Sequence, residues 1–143
     1  MELIPMWDTD NKKTLYWEFY AIQHPTNCVE ELGNLLANHT TKRHAEQLIK
    51  TINDLCFHEI GPKLYINNPN ICHEAVSGEG IYGLRKGNIR LYWFYGLDRR
   101  VVICPLIFVK RVQKTPTDVV TKLLHFKQSY FDAALKKNIT YKK

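Results

Sequence analysis

Ile81-Tyr82-Gly83-Leu84-Arg85-Lys86-Gly87-Asn88-Ile89-Arg90-Leu91-Tyr92-Trp93-Phe94-Tyr95 is two runs of branched and aromatic residues hinged on Gly87-Asn88. Such runs suit a pleated surface, and Gly and Asn tolerate the backbone of a two-residue hairpin turn. The turn length sets the register: Lys86 faces Ile89, and Arg85 faces Arg90 with both guanidinium groups on one side of the ribbon. Two like charges held opposite each other repel. The pair is consistent with arginines that reach water or meet Glu18 or Glu74. It is equally consistent with a phosphate site, since a planar guanidinium binds phosphate oxygens two at a time and stays charged.

Outward from this hairpin, residues 71–76 and 100–109 read as further strands, separated from it by Ser77-Gly78-Glu79-Gly80 and Gly96-Leu97-Asp98. The back half is therefore an antiparallel meander. Pro105 lacks an amide proton for the ladder, which places it at an edge or a bulge and bends the last strand. Residues 14–22 read as a first strand ending at His24-Pro25-Thr26-Asn27. Val29, Leu32, Leu35 and Leu36, then Ala45, Leu48, Ile49, Ile52, Leu55 and Cys56, recur at helical spacing. They predict two antiparallel helices joined near Asn38 to Thr41, the second stopped by Gly61-Pro62. Thr115-Pro116-Thr117-Asp118 predicts a last helix, with Thr115 as cap, Pro116 at the first helical position and a stripe of Val120, Leu123, Leu124, Phe131, Ala134 and Leu135. Residues 136–143 read as a frayed basic tail. The fold class is α+β: an N-terminal strand and helical hairpin packed on a mostly antiparallel twisted sheet, with a C-terminal helix.

The chain has 143 residues, 45% of them hydrophobic, enough for one domain spanning 1–143 with a core at about 14–135. Its longest apolar run is nine residues, 101–109, and is broken by Pro105. A spanning helix needs about 20 residues, so no membrane partner is expected. The N-terminus has no signal-peptide pattern, and cytoplasmic residence is the default expectation. Cys28, Cys56, Cys72 and Cys104 form no CxxC pair and read as free thiols. Cys56-Phe57-His58 and Cys72-His73 have poor spacing for zinc, so no zinc site is expected. The net charge of +6 hides a division: residues 1–80 carry six Lys/Arg against eleven Asp/Glu, and residues 81–143 carry fourteen against three.

In a meander the end of the strand at 100–109 returns beside the Gly87-Asn88 turn. Lys110, Arg111 and Lys114 should therefore join Lys86, Arg85 and Arg90 at one end of the sheet, forming a groove for an anion. Arg100 adds a cation to this basic half. Tyr92 and Phe94 share the Arg90 face and could stack bases, although aromatic residues in strands are more often core. Six histidines are present (His24, His39, His44, His58, His73, His125), and no spacing singles one out. Asp98, Asp118 and Asp132, the acids of the basic half, are too dispersed for a two-metal nuclease centre.

Leu55-Cys56-Phe57-His58-Glu59-Ile60-Gly61, Ile81-Tyr82-Gly83-Leu84-Arg85, Asn88-Ile89-Arg90-Leu91-Tyr92-Trp93-Phe94 and Phe108-Val109-Lys110-Arg111-Val112-Gln113-Lys114-Thr115-Pro116 occur in this order. Together they resemble the phage-derived, HigB-like branch of the RelE/ParE toxin superfamily over roughly residues 14–135. The resemblance implies a RelE-like fold and the toxin of a type II toxin-antitoxin system. It further implies a metal-independent, ribosome-dependent mRNA endonuclease without a cofactor, neutralised by an antitoxin that is often a helix-turn-helix protein. By motif match Arg85, Arg90, Lys110, Arg111 and Lys114 would be catalytic and stabilise charge on a phosphate attacked by a ribose 2′-oxygen. Lys86, Tyr92 and Arg100 would bind RNA, and His125 and Tyr130 are candidates for proton transfer. Gly83 stands where the family pattern has an acid. Within the same superfamily the alternatives are a ParE-like topoisomerase inhibitor, or a non-catalytic nucleic-acid-binding or phage accessory protein.

Overall fold

The computed structural model describes residues 1–110 and 115–142. Seven strands, β1 (Glu2–Pro5), β2 (Glu18–Ile22), β3 (Cys72–Val76), β4 (Ile81–Lys86), β5 (Ile89–Tyr95), β6 (Val101–Val109) and β7 (Thr140–Tyr141), form one mixed sheet in the order β3-β4-β5-β6-β2-β1-β7. Helices α1 (Cys28–Ala37) and α2 (Lys42–Cys56) cover one face, and α3 (Thr117–Leu135) covers part of the other. The fold is thus α+β. None of the helices is long and apolar enough to cross a membrane, among the described residues.

Strand alternation divides β5 between two cores. Leu91 and Trp93 pack with Ala45, Leu48, Ile52 and Leu55 of the helical hairpin, while Tyr92 and Phe94 pack with Val119, Leu123 and Tyr130 of α3. Burial on both faces is why 89–94 reads as an almost unbroken apolar run instead of alternating. Pro105 sits at a bulge, as its missing amide requires: Tyr92 pairs with Leu106 and Phe94 with Ile103, so Trp93 opposes both Cys104 and Pro105. On the other edge of β6 the ladder to β2 ends at Ala21 and Cys104, one residue before the proline. All four cysteines are buried free thiols.

Several boundaries move for identifiable reasons. The first predicted strand starts only at Glu18, because the amides of Tyr16 and Trp17 donate to the Cys56 carbonyl at 2.9 and 3.1 Å and cap the end of α2. Asn27 is an N-cap: its side-chain oxygen accepts from the Glu30 amide at 3.0 Å and starts α1. The second helix ends at Cys56, ahead of Gly61-Pro62, which instead opens a 3-10 turn. Helix α3 begins at Thr117 with Pro116 as its extended cap residue, so Thr115 is not the cap. It buries Val119, Leu123 and Tyr130, while Leu124 and Leu135 of the predicted stripe are exposed.

The tail is not frayed over its described part, and a strand precedes the predicted core. The N-terminal ammonium donates to the Asn138 carbonyl at 2.7 Å, β7 pairs in parallel with β1, and Lys142 reaches Glu2 at 3.5 Å. These four- and two-residue strands offer no periodicity to read; the ladder holds them.

Gly61 has φ +64°, and a Cβ there would overlap the Trp17 indole, which donates to the Glu59 carbonyl at 3.1 Å. Gly61→Ala is therefore expected to destabilise the fold by about 1–3 kcal/mol. A urea unfolding midpoint unchanged from wild type would contradict this.

Candidate functional site

The hairpin register is the predicted one: Arg85 pairs with Arg90 and Lys86 with Ile89. Gly87 supplies the positive φ, +56°, that the turn needs. Strand β6 returns as expected, with Val109 opposite Ile89 and the Lys110 amide bonded to the Asn88 carbonyl at 2.6 Å. By strand alternation Arg85 and Arg90 lie on the α3 face of the sheet, at the end where β6 finishes.

Arg90 is only 4% exposed. Its Nη1 donates to the Gly87 carbonyl at 2.7 Å and the Ile89 carbonyl at 3.1 Å. The turn that placed the arginine thus also fixes its guanidinium. Its Nε is buried without a partner. Lys110 is 7% exposed and Arg85 half-buried. Neither carboxylate weighed as a partner takes that role: Glu74 accepts from the Gly78 amide at 2.6 Å, and Glu18 accepts from the Tyr20 hydroxyl. Among the described residues the single ion pair is Lys142–Glu2, at the opposite edge of the sheet.

Next to the cations stands His73, which sequence spacing did not distinguish. It pairs with Gly83 across the β3–β4 ladder, and Gly83 pairs with Tyr92. A Cβ built on Gly83 would stand 3.0 Å from the His73 Cε1 and 3.4 Å from its Nε2. The imidazole lies over the glycine. Its pKa falls below the ordinary histidine value, first from burial and then from the Lys110, Arg90 and Arg85 charges. Burial first, and then repulsion, also lowers Lys110 (from Arg90 and Arg85) and Arg90 (from Arg85). The Tyr92 hydroxyl is buried beside Thr115 without completing a hydrogen bond, and burial raises its pKa.

Three cations and a neutral imidazole therefore share a partly buried surface that, among the described residues, holds no opposing carboxylate. Such a group is a liability in the free protein, because each buried charge is desolvated without a counter-ion. An anion with several oxygens supplies what is missing. A divalent metal would not fit, since the cluster offers it no acidic ligand; among the described residues no three His, Cys, Asp or Glu side chains gather around a common point.

Other expected members lie elsewhere. Lys86 projects from the helical-hairpin face by strand alternation, away from Arg85. Arg100 precedes the first residue of β6, about 30 Å along the strand from Lys110, so it does not join the cluster. Tyr92 and Phe94 are buried in the core under α3 and cannot stack a base. The Tyr130 hydroxyl accepts from the Leu97 amide at 3.1 Å, pinning α3 to the turn after β5 at the far end of the sheet. It is a structural clasp and not a proton-transfer group. His125 is exposed on α3 and lines, with His24 and Phe126, a separate cleft of about 460 Å³. Arg111 and Lys114 lie outside the described residues. No family model matches the chain, and no curated protein matches it.

Proposed function

We propose that this protein is a toxin of the HigB-like branch of the RelE/ParE superfamily, with a RelE-like fold, that cleaves mRNA on the ribosome without a metal and is neutralised by an antitoxin. The observation that carries the reading is the cluster of half-buried Arg85 with buried Arg90 and Lys110, which has no carboxylate partner among the described residues. It falls on the residues that match the superfamily's strand arginines and post-strand cations. The strand–helical hairpin–antiparallel sheet order adds support. The cations bind the scissile phosphate and stabilise the extra negative charge that develops as a ribose 2′-oxygen attacks it. A fixed array of donors does this without reorganising during the reaction.

Induced expression in a bacterium should arrest growth and create new mRNA ends within translated frames. Unchanged transcripts and normal growth with soluble protein present would refute the reading; blocked DNA supercoiling with intact mRNA would favour the topoisomerase-inhibitor alternative. Binding of single-stranded RNA should weaken with salt, with a log–log slope of about −2 if three phosphates are contacted. A slope near zero would contradict phosphate recognition.

A further inference from the structure

We propose that His73 is the group that takes the proton from the attacking 2′-hydroxyl, and that Gly83 is what lets it stand there. The inference rests on the nuclease reading above and assigns the proton transfer that reading leaves open. Two independent features of the geometry carry it.

The first is position. His73 on β3, Arg85 on β4, Arg90 on β5 and Lys110 after β6 come from the same end of four adjacent strands; His73 pairs with Gly83, which pairs with Tyr92, so by strand alternation it lies on the Arg85–Arg90 face, one side-chain step along from that pair. An oxyanion bridging the three cations sits at the same end of the sheet. Of the side chains gathered there, the imidazole is the one matched to proton transfer near neutral pH. Tyr92 on β5 has a phenol raised by burial and is beneath the surface. Of the described groups around His73, Lys110, Arg90 and Arg85 are cationic and Tyr92 is neutral, so none of them is an acid that would hold the ring protonated.

The second is space. The His73 ring packs closely against position 83: a Cβ there would stand 3.0 Å from its Cε1, 3.4 Å from its Nε2 and 3.5 Å from the Tyr92 Cδ1, tight enough that the ring would have to shift. Where the superfamily pattern has an acid, this chain has an imidazole donated from the neighbouring strand. Gly83 thus leaves room for that imidazole beside the cations.

In the proposed step, neutral His73 accepts the 2′-hydroxyl proton as the 2′-oxygen–phosphorus bond forms and the phosphorus–5′-oxygen bond breaks. The 5′-oxygen takes a proton from water, leaving a 2′,3′-cyclic phosphate and a 5′-hydroxyl. The imidazolium then returns its proton to solvent. No redox partner is required.

The test compares wild type, His73→Gln and Gly83→Ala, each confirmed folded by circular dichroism, in single-turnover cleavage and in RNA affinity. Loss of the base should lower the rate of H73Q by about 10²–10⁴-fold. Because His73 is neutral when it binds, RNA affinity and its salt slope should stay within threefold of wild type. Wild-type cleavage should fall with acid through a midpoint below 6.5, and H73Q should lose that limb. G83A, which must push the ring aside by a few tenths of an ångström, should fall between the two. An active wild type with an equally active H73Q that keeps the acid limb overturns this inference alone. A wild type inert toward RNA overturns the nuclease reading, and the inference with it.

Discussion

Arg90→Ala is expected to slow RNA cleavage by about 10²–10³-fold, the loss typical when one fixed donor to a developing oxyanion is removed. The guanidinium is held by the Gly87 and Ile89 carbonyls through Nη1 and its Nε is buried, which leaves Nη2 as the donor for a ligand. Its truncation also removes those two bonds, so a modest loss of stability, about 1 kcal/mol, accompanies it. Arg90→Lys separates the two effects. It keeps the charge but loses the planar fork, and should remain at least tenfold impaired. Cleavage by folded Arg90→Ala within threefold of wild type would show that Arg90 is not part of the reacting surface.

Lys110→Met should change stability and function in opposite directions. The lysine is 7% exposed beside two arginines, with no carboxylate partner among the described residues. Its folded pKa lies below the unfolded value of 10.5. A lysine lowered in this way costs stability at all pH below the folded pKa, and that cost fades as pH rises toward 10.5. Replacing it by an apolar side chain of similar length should raise stability at pH 7 by about 1 kcal/mol while weakening RNA binding tenfold or more. The stabilisation should shrink as pH approaches 10.5. A less stable Lys110→Met with unaltered RNA affinity would mean that Lys110 serves the fold and not a ligand. His73 adds a limb of the same sign: its lowered pKa makes stability fall as pH drops below 6.5, until the folded-state pKa is passed.

The part of the site that could be read in the sequence is the part fixed by local chemistry. Gly87-Asn88 dictated a tight turn, which dictated the Arg85–Arg90 pairing, and the meander then brought Lys110 to the turn. What could not be read depends on packing at a distance. Whether Tyr92 and Phe94 face solvent or core is decided by how far α3 lies over the sheet, and it covers them. Arg100 shares the basic half of the chain with Arg85, yet the length of β6 separates them. His73 carries no signal of its own; the clue was Gly83, a strand-interior glycine that implies a close approach by another group, and only the β3–β4 register identifies that group. The terminal pairing of β1 with β7 was equally hidden, since its two partners lie at opposite ends of the sequence.

The chemistry of newly formed RNA ends tests the central claim most directly. Transfer to a 2′-oxygen by an array of cations leaves 5′-hydroxyl and 2′,3′-cyclic phosphate ends, whereas metal-directed attack by water leaves a 5′-phosphate or a 3′-phosphate without a cyclic form. After induction of the wild-type protein, ligation-based mapping should find new 5′-hydroxyl ends within translated messages, absent when Arg90→Ala is induced to the same level. No new ends, or new ends bearing 5′-phosphate, would contradict the account.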